Sequence, residues 1–434
     1  MTPEAFQDRH PDVSRVQFVV VDPNGRARGK WAPVSALAKA FGPGPDGGVN
    51  FPLSIHGLDV WGTEVAETGL HIASGDRDGF FRAVPHTLCR MPNGDAQVVL
   101  EAFDAEGRPF AGCARQVLGR LIERLPFRAT MALELEFHLL EPRGEGWGVA
   151  EEKALAERQR MYDLAALDRH RAFADAVSRA AEAADLPVDT VVKEAGAGQY
   201  EVNLLHRADP LRAADDAVLL RRVVESAADA EGLRASFMAK PVAEAPGNGM
   251  HLHVSLADET GAIFAREGQG WERLRHAAGG LVSTMAECAL VWANGVNGHR
   301  RLAPGSYAPT HATWGRNNRS VAVRVPTGAP RLEHRVAGAD ANPYLVAALV
   351  LAGMAHGLRD RIAPPAEVEA NAYEAESGEA LPGALAAALA AWDASAFARG
   401  ALGEVMHANL AHLKRAELAG FAADISPLER ATYL

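Results

Sequence analysis

Cysteine is scarce. The 434 residues hold three, Cys89, Cys113 and Cys288, with no CxxC pair, which excludes a disulfide framework or a thiolate zinc site and fits a reducing cytoplasm. Long basic runs are missing too, and the formal charge of −11 argues against a nucleic-acid backbone as partner. No stretch approaches the roughly 20 apolar residues that span a bilayer; the Ala-rich segment 384–392 is too short and too weakly apolar. Asp8 and Arg9 precede any apolar run, unlike a signal peptide. There is no repeat of fixed period, and no GxxxxGK[ST] loop, so any nucleotide chemistry is not that of a P-loop enzyme.

What is present is ordinary globular material, 48% hydrophobic and 23% charged, long enough for two domains or one large one. Val16 to Val21, an Asp-Pro-Asn-Gly turn and a more polar strand read as a hairpin, followed by a short helix over Pro33 to Ala40. Gly-rich 42–50 reads as a loop, 51–80 as loops forming or flanking a site, and 96–103 as a strand. Up to about residue 108 the pattern is that of a small β-rich domain. Helical spacing then begins over Arg115 to Leu125. Further helices are expected over 167–185, 211–231, 271–294, 343–359 and the tail from Ala384; strands over 131–139, 188–205, 234–239, 250–256 and 319–336; and a loop over 295–318.

The segment Met131–Leu139 alternates apolar residues with Ala132, Glu134, Glu136 and His138. A strand of that period sends both glutamates to one face, about 7 Å apart, where they repel unless a cation or proton intervenes. Other strands repeat the pattern. Glu194 precedes a glycine turn and Glu201 lies on the strand after it; His251, His253 and Ser255 share one face; Arg331, Glu333 and Arg335 alternate; Arg319 and Arg324 lie just upstream. Any one such residue is more often a paired surface or core group, and Glu333 between two arginines could be a salt-bridge network alone. Five strands that each load acids, histidines or arginines on one face would be poorly compensated without ligands. Carboxylate oxygens with an imidazole or two suit Mg²⁺ or Mn²⁺. Arginines beside such ions suit phosphates and carboxylates, which together is phosphoryl-transfer machinery.

The ordered motifs resemble the glutamine synthetase family. They are Met-Ala-Leu-Glu-Leu-Glu-Phe (131–137), Glu-Ala-Gly-Ala-Gly-Gln-Tyr-Glu (194–201), Phe-Met-Ala-Lys-Pro (237–241), Gly-Asn-Gly-Met-His-Leu-His-Val-Ser-Leu (247–256), Arg-Arg-Leu-Ala-Pro-Gly (300–305), Asn-Arg-Ser-Val-Ala-Val-Arg (318–324), Arg-Leu-Glu-His-Arg (331–335) and Ala-Asn-Pro-Tyr-Leu (341–345). The resemblance covers nearly the whole length. It implies an α+β fold: an N-terminal β-grasp domain over 1–108 and a catalytic domain over 109–434, a curved antiparallel sheet with flanking helices. It implies ATP and two or more Mg²⁺ or Mn²⁺ ions per site, and a homo-oligomer, a dodecamer of two stacked hexameric rings with sites between subunits. One metal would sit on Glu136, Glu194 and Glu201, the other on Glu134, His251 and Glu333. Arg301 and Arg335 would hold glutamate's carboxylate, with Gly247 and Tyr307 in the substrate site. His253, Ser255, Arg319, Arg324 and Arg331 would attend ATP, with His253 and the three arginines also on the transferring phosphoryl group, and Arg319, Arg301 and Glu333 would be catalytic.

The departures bear on the acceptor. After Arg-Leu-x-Pro-Gly the ammonia-using members carry Tyr-Glu-Ala-Pro, whereas this chain reads Ser306-Tyr307-Ala308-Pro309. A tyrosine offers no negative charge to a small cation at neutral pH, but it offers a π-face and an apolar wall to an alkylated amine. Ala132 stands where the family has glycine, and Pro246 replaces the asparagine expected before Gly247. Asp59, Glu64 and Glu67 are the candidates in 51–69 for assisting amine deprotonation, and Tyr373 lacks the pattern of an adenylylation segment. The resulting expectation is a γ-glutamyl–amine ligase acting through γ-glutamyl phosphate on a polyamine, ethanolamine or a monoalkylamine. Its alternatives are a glutamine synthetase using ammonia and a catalytically silent relative with a structural or regulatory role.

Overall fold

In the computed structural model, residues 1–42, 47–150, 161–374 and 377–434 are described. Six strands form the first sheet: β1 (Arg15–Val21), β2 (Ala27–Pro33), β3 (Val49–Pro52), β4 (Asp78–Ala83), β5 (Cys89–Arg90) and β6 (Ala96–Phe103). Their order is β2-β1-β6-β4-β3, with β5 on β6. The expected hairpin is there, with β1 and β2 antiparallel around Asp22–Gly25, while β1 and β6 run parallel. Both faces of that central pair are covered, as a parallel pair requires. Val16, Phe18, Val20, Val98 and Leu100 join one buried cluster with Phe6, Phe51 and Phe81. The alternate residues Val19, Val21 and Val99 turn the other way, into the larger core.

The second sheet has ten strands: β7 (Arg128–Arg143), β8 (Gly146–Val149), β9 (Val188–Lys193), β10 (Gln199–Leu204), β11 (Arg234–Ser236), β12 (Met250–Asp258) and β13 (Gly261–Ala262), then, after β14 (His311–Ala312), which pairs elsewhere, β15 (Trp314–Arg316), β16 (Val323–Val325) and β17 (Leu332–His334). β14 joins β18 (Glu379–Ala380) in a two-stranded pair. β7 is the axis. It pairs β10 through 134–138, β12 through 128–135, β11 through 138–140 and β8 through 140–143. A strand that changes partners along its length curls the sheet around it. The apolar residues of β7, from Met131 to Leu139, face the helices and are buried. The fold is thus mixed α+β, a curled and mostly antiparallel sheet backed by helices. Among the described residues no helix is long and apolar enough to cross a membrane.

Several boundaries differ from expectation for local reasons. The 51–80 segment contains the second half of β3 and the start of β4, because Phe51 and Phe80 lie in strands of the first sheet. The loop expected over 42–50 yields Val49 and Asn50 to β3, and 43–46 lie outside the described residues. Helix 167–185 is two helices, Leu164–Arg169 and Arg171–Ala183, meeting at His170. Helix 271–294 is Gly268–Ser283 followed by a short Ala289–Trp292. The 295–318 loop holds the helix Val296–Arg301 as well as β14 and β15. The strand expected over 234–239 pairs only through Ser236.

The helix Pro210–Ala230, N-capped by Asp209, carries a fully buried carboxylate, Asp215. Arg115 donates Nε and Nη2 to its two oxygens at 2.9 Å each, and Tyr344 Oη donates to Oδ1 at 2.7 Å. His86 Nε2 lies 2.9 Å from Oδ2; an ionised carboxylate only accepts, so that nitrogen carries the proton. Burial pushes the Asp215 pKa up, yet the Arg115 charge and the three donors outweigh it and hold the group below its usual range. Removing such a partner leaves the buried Arg115 with Glu101 alone and the His86 and Tyr344 donors unpaired, so Asp215→Ala lowers stability by about 3–5 kcal/mol, read as a fall in melting temperature. The depressed pKa makes this contribution present above the ordinary carboxylate value of about 4 and lost as pH drops through the lower folded-state value, so the wild type and variant converge in acid.

Candidate active site

The register of the second sheet composes the site. Glu201 on β10 lies opposite Glu136 on β7, and Asn203 opposite Glu134. On the other edge of β7, His251 lies opposite Glu134 and His253 opposite Ala132. One strand further, Glu333 on β17 faces His253, and Arg324 on β16 faces Glu333. Directly opposed side chains on one face have Cβ atoms about 5 Å apart, so five strands deliver acids, imidazoles and a guanidinium to one surface. Leu133, Leu135, Leu252 and Val254 fill the opposite face and are buried. That burial locks the register, because a one-residue slip would send the acids into the core.

Hydrogen bonds then fix the individual groups. Glu134 sits between two histidines, with His251 Nδ1 at 3.2 Å and His253 Nε2 at 2.8 Å. Glu333 accepts from Arg324 Nη1 at 2.9 Å and from Arg335 Nη1. Arg331 Nε donates to His253 Nδ1 at 3.2 Å. The Gly247-Asn248-Gly249 segment approaches from the side, and Gly249 N donates to Glu136 Oε2 at 2.6 Å. A Cβ at Gly249 would lie 2.6 Å from Arg301 Nη2 and 2.9 Å from His251 Nε2, so only glycine admits this approach. Asn248 anchors the segment through Ser236 O, Met238 O, His138 Nδ1 and Gln199 Nε2. The buried Lys193 ammonium holds the turn after β9 by donating to the carbonyls of Glu194 at 2.8 Å and Gly196 at 2.6 Å.

These groups open onto a cavity of about 640 Å³ lined by Glu134, Glu136, Glu194, Glu201 and His251, with Gly247, Tyr307, Arg319, Arg335 and Tyr373 around it. Burial raises the pKa of Glu194 to about 7, and the neighbouring Glu136 charge adds to the rise. Glu201 is pushed well up by burial and then by Glu134, Glu136 and Glu194. Glu134 and Glu333 go the other way: burial raises both, but the histidine hydrogen bonds pull Glu134 well below its usual value, and Arg335 with nearby histidines brings Glu333 to about 2. The Glu136, Glu194 and Glu201 side is therefore short of positive charge.

Two groups of donor atoms lie within 4.8 Å of one another: Glu134, His251 and Glu333; and Glu136, Glu201 and His251. Their oxygens, the shared imidazole and the uncompensated carboxylates fit hard divalent cations. The first group is the trio expected from sequence. In the second, His251 stands where Glu194 was expected, because Glu194 comes from the turn beyond β9 and not from the paired face; it lines the same cavity instead. Of the expected arginines, Arg319 and Arg335 line the cavity. Arg301 is buried beneath it, with Nη1 donating to Val336 O at 2.7 Å and Nη2 to Arg335 O at 3.4 Å. Arg324 lies behind Glu333, and Arg331 at the rim, bound also to Thr327 O and Ala329 O. Ser255 is opposite Thr130, two residues past His253, and does not line the cavity. Asp59 and Glu64 accept from backbone N–H groups of their own loop, and neither they nor Glu67 line it. Sequence reasoning assigned no site role to Lys193, Asn248 or Tyr373; Asn248 stood inside a quoted motif, while the other two act through contacts that no spacing reveals.

The family model for the catalytic domain of glutamine synthetase matches residues 111–433. The chain belongs to the glutamine synthetase family. Within it, the chain is 37% identical over 388 residues to γ-glutamylputrescine synthetase of Escherichia coli K12, covering 86% of this chain and 81% of that protein. It is 31% identical over 434 residues to the γ-glutamylethanolamide synthetase GlnA4 of Streptomyces coelicolor, covering 96% and 92%. The solved structure of apo GmaS, 27% identical, superposes with a TM-score of 0.85 over 100% of this chain and 99% of that one. Members of the glutamine synthetase family use ATP and divalent ions, and the donor groups of this chain suit such ions.

A cation can bind the Glu194 and Glu201 side only once their protons leave. Apparent Mn²⁺ affinity, measured by calorimetry, therefore climbs as pH rises through about 7 and falls below it, by up to about tenfold per pH unit for each proton displaced. Glu194→Gln flattens that dependence near neutrality.

Proposed function

We propose that this chain is an ATP-dependent ligase that joins the γ-carboxylate of glutamate to an organic amine, a polyamine, ethanolamine or an alkylamine. The observation that carries this reading is Tyr307 on the wall of the carboxylate cavity, at the position where the ammonia-using members place a glutamate. The residue is 54% exposed, and nothing in its side chain replaces the missing negative charge. The two relatives named above as γ-glutamyl amine synthetases support the same reading.

In this mechanism glutamate's γ-carboxylate oxygen attacks the γ-phosphorus of ATP, ADP leaves, and γ-glutamyl phosphate forms. The amine nitrogen then attacks the carbon of the γ-carboxyl group, the C–O bond to phosphate breaks, and the nitrogen gives up a proton. Divalent ions, when bound, neutralise charge on the transferring phosphoryl group and on ADP. Glu136, Glu194 and Glu201 would hold one ion and Glu134, His251 and Glu333 the other, and His251 belongs to both groups of donor atoms in the structure. Arg319 and Arg335 present guanidinium groups to phosphoryl and carboxylate oxygens in the cavity. Arg301 acts from below, supporting the Gly247–Gly249 approach, and His253, Arg324 and Arg331 attend the phosphates.

We also read residues 1–108 as an N-terminal domain and 109–434 as the catalytic one, supported by the smaller buried cluster, which is drawn almost wholly from 1–108, although Val19, Val21 and Val99 pack into the larger one. A homo-oligomer of stacked rings is the matching assembly. Exposed Trp31, Trp61, Leu428 and Tyr433 leave apolar surface for it, and Asp59, Glu64 and Glu67 would then assist a neighbour's site. Three unpaired, buried cysteines support a cytoplasmic location.

The test is phosphate release with ATP, Mg²⁺, glutamate and a panel of putrescine, ethanolamine, methylamine and ammonia. An organic amine shows the highest kcat/KM; ammonia turning over fastest refutes the reading. Tyr307→Glu shifts the ratio toward ammonia by about tenfold or more, the weight of one charge-assisted contact.

A further inference from the structure

Tyr307 is held in an unusual way. Its φ is +54°, a left-handed conformation that costs a non-glycine residue about 1–2 kcal/mol, so its surroundings must hold it there. On its N-terminal side, the buried Ser306 accepts from Lys240 Nζ at 2.8 Å, and Ser306 O accepts from Gly247 N at 3.2 Å. The carbonyl of Tyr307 itself is met by one phenol: Tyr373 Oη donates to Tyr307 O at 3.1 Å and shares the same proton with Arg319 O at 3.3 Å. The two rings stand edge to face, centroids 6.2 Å apart at 74°. The Arg335 and Arg301 charges bear on the same phenol.

Tyr373 is itself rigidly mounted. Asn371 Oδ1 accepts from Tyr373 N at 3.1 Å, and Ser320 Oγ accepts from Ala372 N at 2.8 Å. Asn318 Nδ2 donates to Val368 O at 2.9 Å and to Ala370 O at 2.8 Å. Residues 368–373 are thus laced to 318–320, the turn that carries Arg319. The phenol hydroxyl bridges that fixed turn to the flap.

We propose that Tyr373 is a positioning residue whose hydroxyl fixes the Tyr307 flap against the Arg319 turn, so that the amine wall and the phosphoryl site keep one geometry. This rests on the reading of Tyr307 as the wall of the amine site. When the flap is held, the acyl phosphate meets the amine; when it is loose, water attacks the same carbon, the C–O bond to phosphate breaks, and glutamate and phosphate are released without amide.

Tyr373→Phe removes the bridge and keeps the ring. The full-length enzyme, assayed with ATP, Mg²⁺, glutamate and the best amine of the panel, is read for amine KM, ATP KM and amide formed per phosphate released. We expect amine KM to rise about three- to tenfold, the weight of one neutral hydrogen bond, with ATP KM within about twofold and fewer amides per phosphate. In a Tyr307→Ala background, where the wall is already gone, the second substitution has no further effect on amine KM. A wild-type KM and coupling ratio in Tyr373→Phe overturns the proposal, as does an undiminished effect in the Tyr307→Ala background. Should Tyr373→Phe lose its melting transition, Asn371→Ala loosens the turn while keeping the phenol, and it must shift amine KM and coupling in the same direction or the proposal falls. A wild type that prefers ammonia sinks the amine reading itself, whereas an amine-preferring wild type with an unmoved variant sinks only the positioning role.

Discussion

The arrangement depends on forcing carboxylates together that would otherwise move apart. Glu201 lies opposite Glu136 across β10 and β7, a like-charge pair that opposes strand pairing, and Glu194 lines the same cavity. Nothing on the exposed face favours this. The apolar residues on the other face do, since Met131, Leu133, Leu135, Phe137 and Leu139 are each fully buried against the helices. The hydrophobic side of β7 sets the register, and the register sets the charge density. Burial first, and that imposed repulsion after it, raises the pKa values of Glu194 and Glu201, a cost that a proton or a cation relieves.

A second constraint keeps the frame rigid. Asp215 on Pro210–Ala230 collects His86 from the 3₁₀ turn after β4, Arg115 from Ala114–Ile122 and Tyr344 from Pro343–Asp360. Four segments far apart in sequence therefore meet at one buried carboxylate. Asn342 adds a similar tie, capping Pro343–Asp360 through Tyr344 N and Leu345 N while Nδ2 donates to Asp22 O in the first sheet's hairpin turn. Polar contacts that must be fully satisfied when buried fix the angle between sheet and helices more narrowly than apolar contact does.

The metal face was legible in the sequence because alternation is a property of the chain itself. Period alone puts Glu134 with Glu136 and His251 with His253 on one face of their strands; that these and Glu333 form one surface requires the strands to share a sheet, and they pair so. Glu194 shows where the logic stops. It lies in a turn, where period has no meaning, and His251 takes its place beside Glu136 and Glu201. Arg301 shows the same limit, since a helix of six residues turns its guanidinium under the site and not into it. The short strands β15 to β17 and the broken helices at His170 and Ser283 were blurred for a related reason: tertiary contacts end them, not capping signals in the sequence.

The two parts of the site also differ in how freely they can change. A substitution on the paired face acts on neighbours across two strands and on a buried sheet, so acids and imidazoles there are held by many contacts at once. The flap at Ser306–Tyr307 is held at a few points, Lys240 on the Ser306 hydroxyl, Gly247 on the Ser306 carbonyl and Tyr373 on the Tyr307 carbonyl, and none of the three depends on which side chain residue 307 carries. A side chain there can be exchanged while the backbone keeps its course. Chemistry fixed by the sheet, with acceptor choice placed on a backbone-tethered loop, lets one scaffold keep its phosphoryl-transfer machinery while the nucleophile changes from ammonia to an alkylated amine.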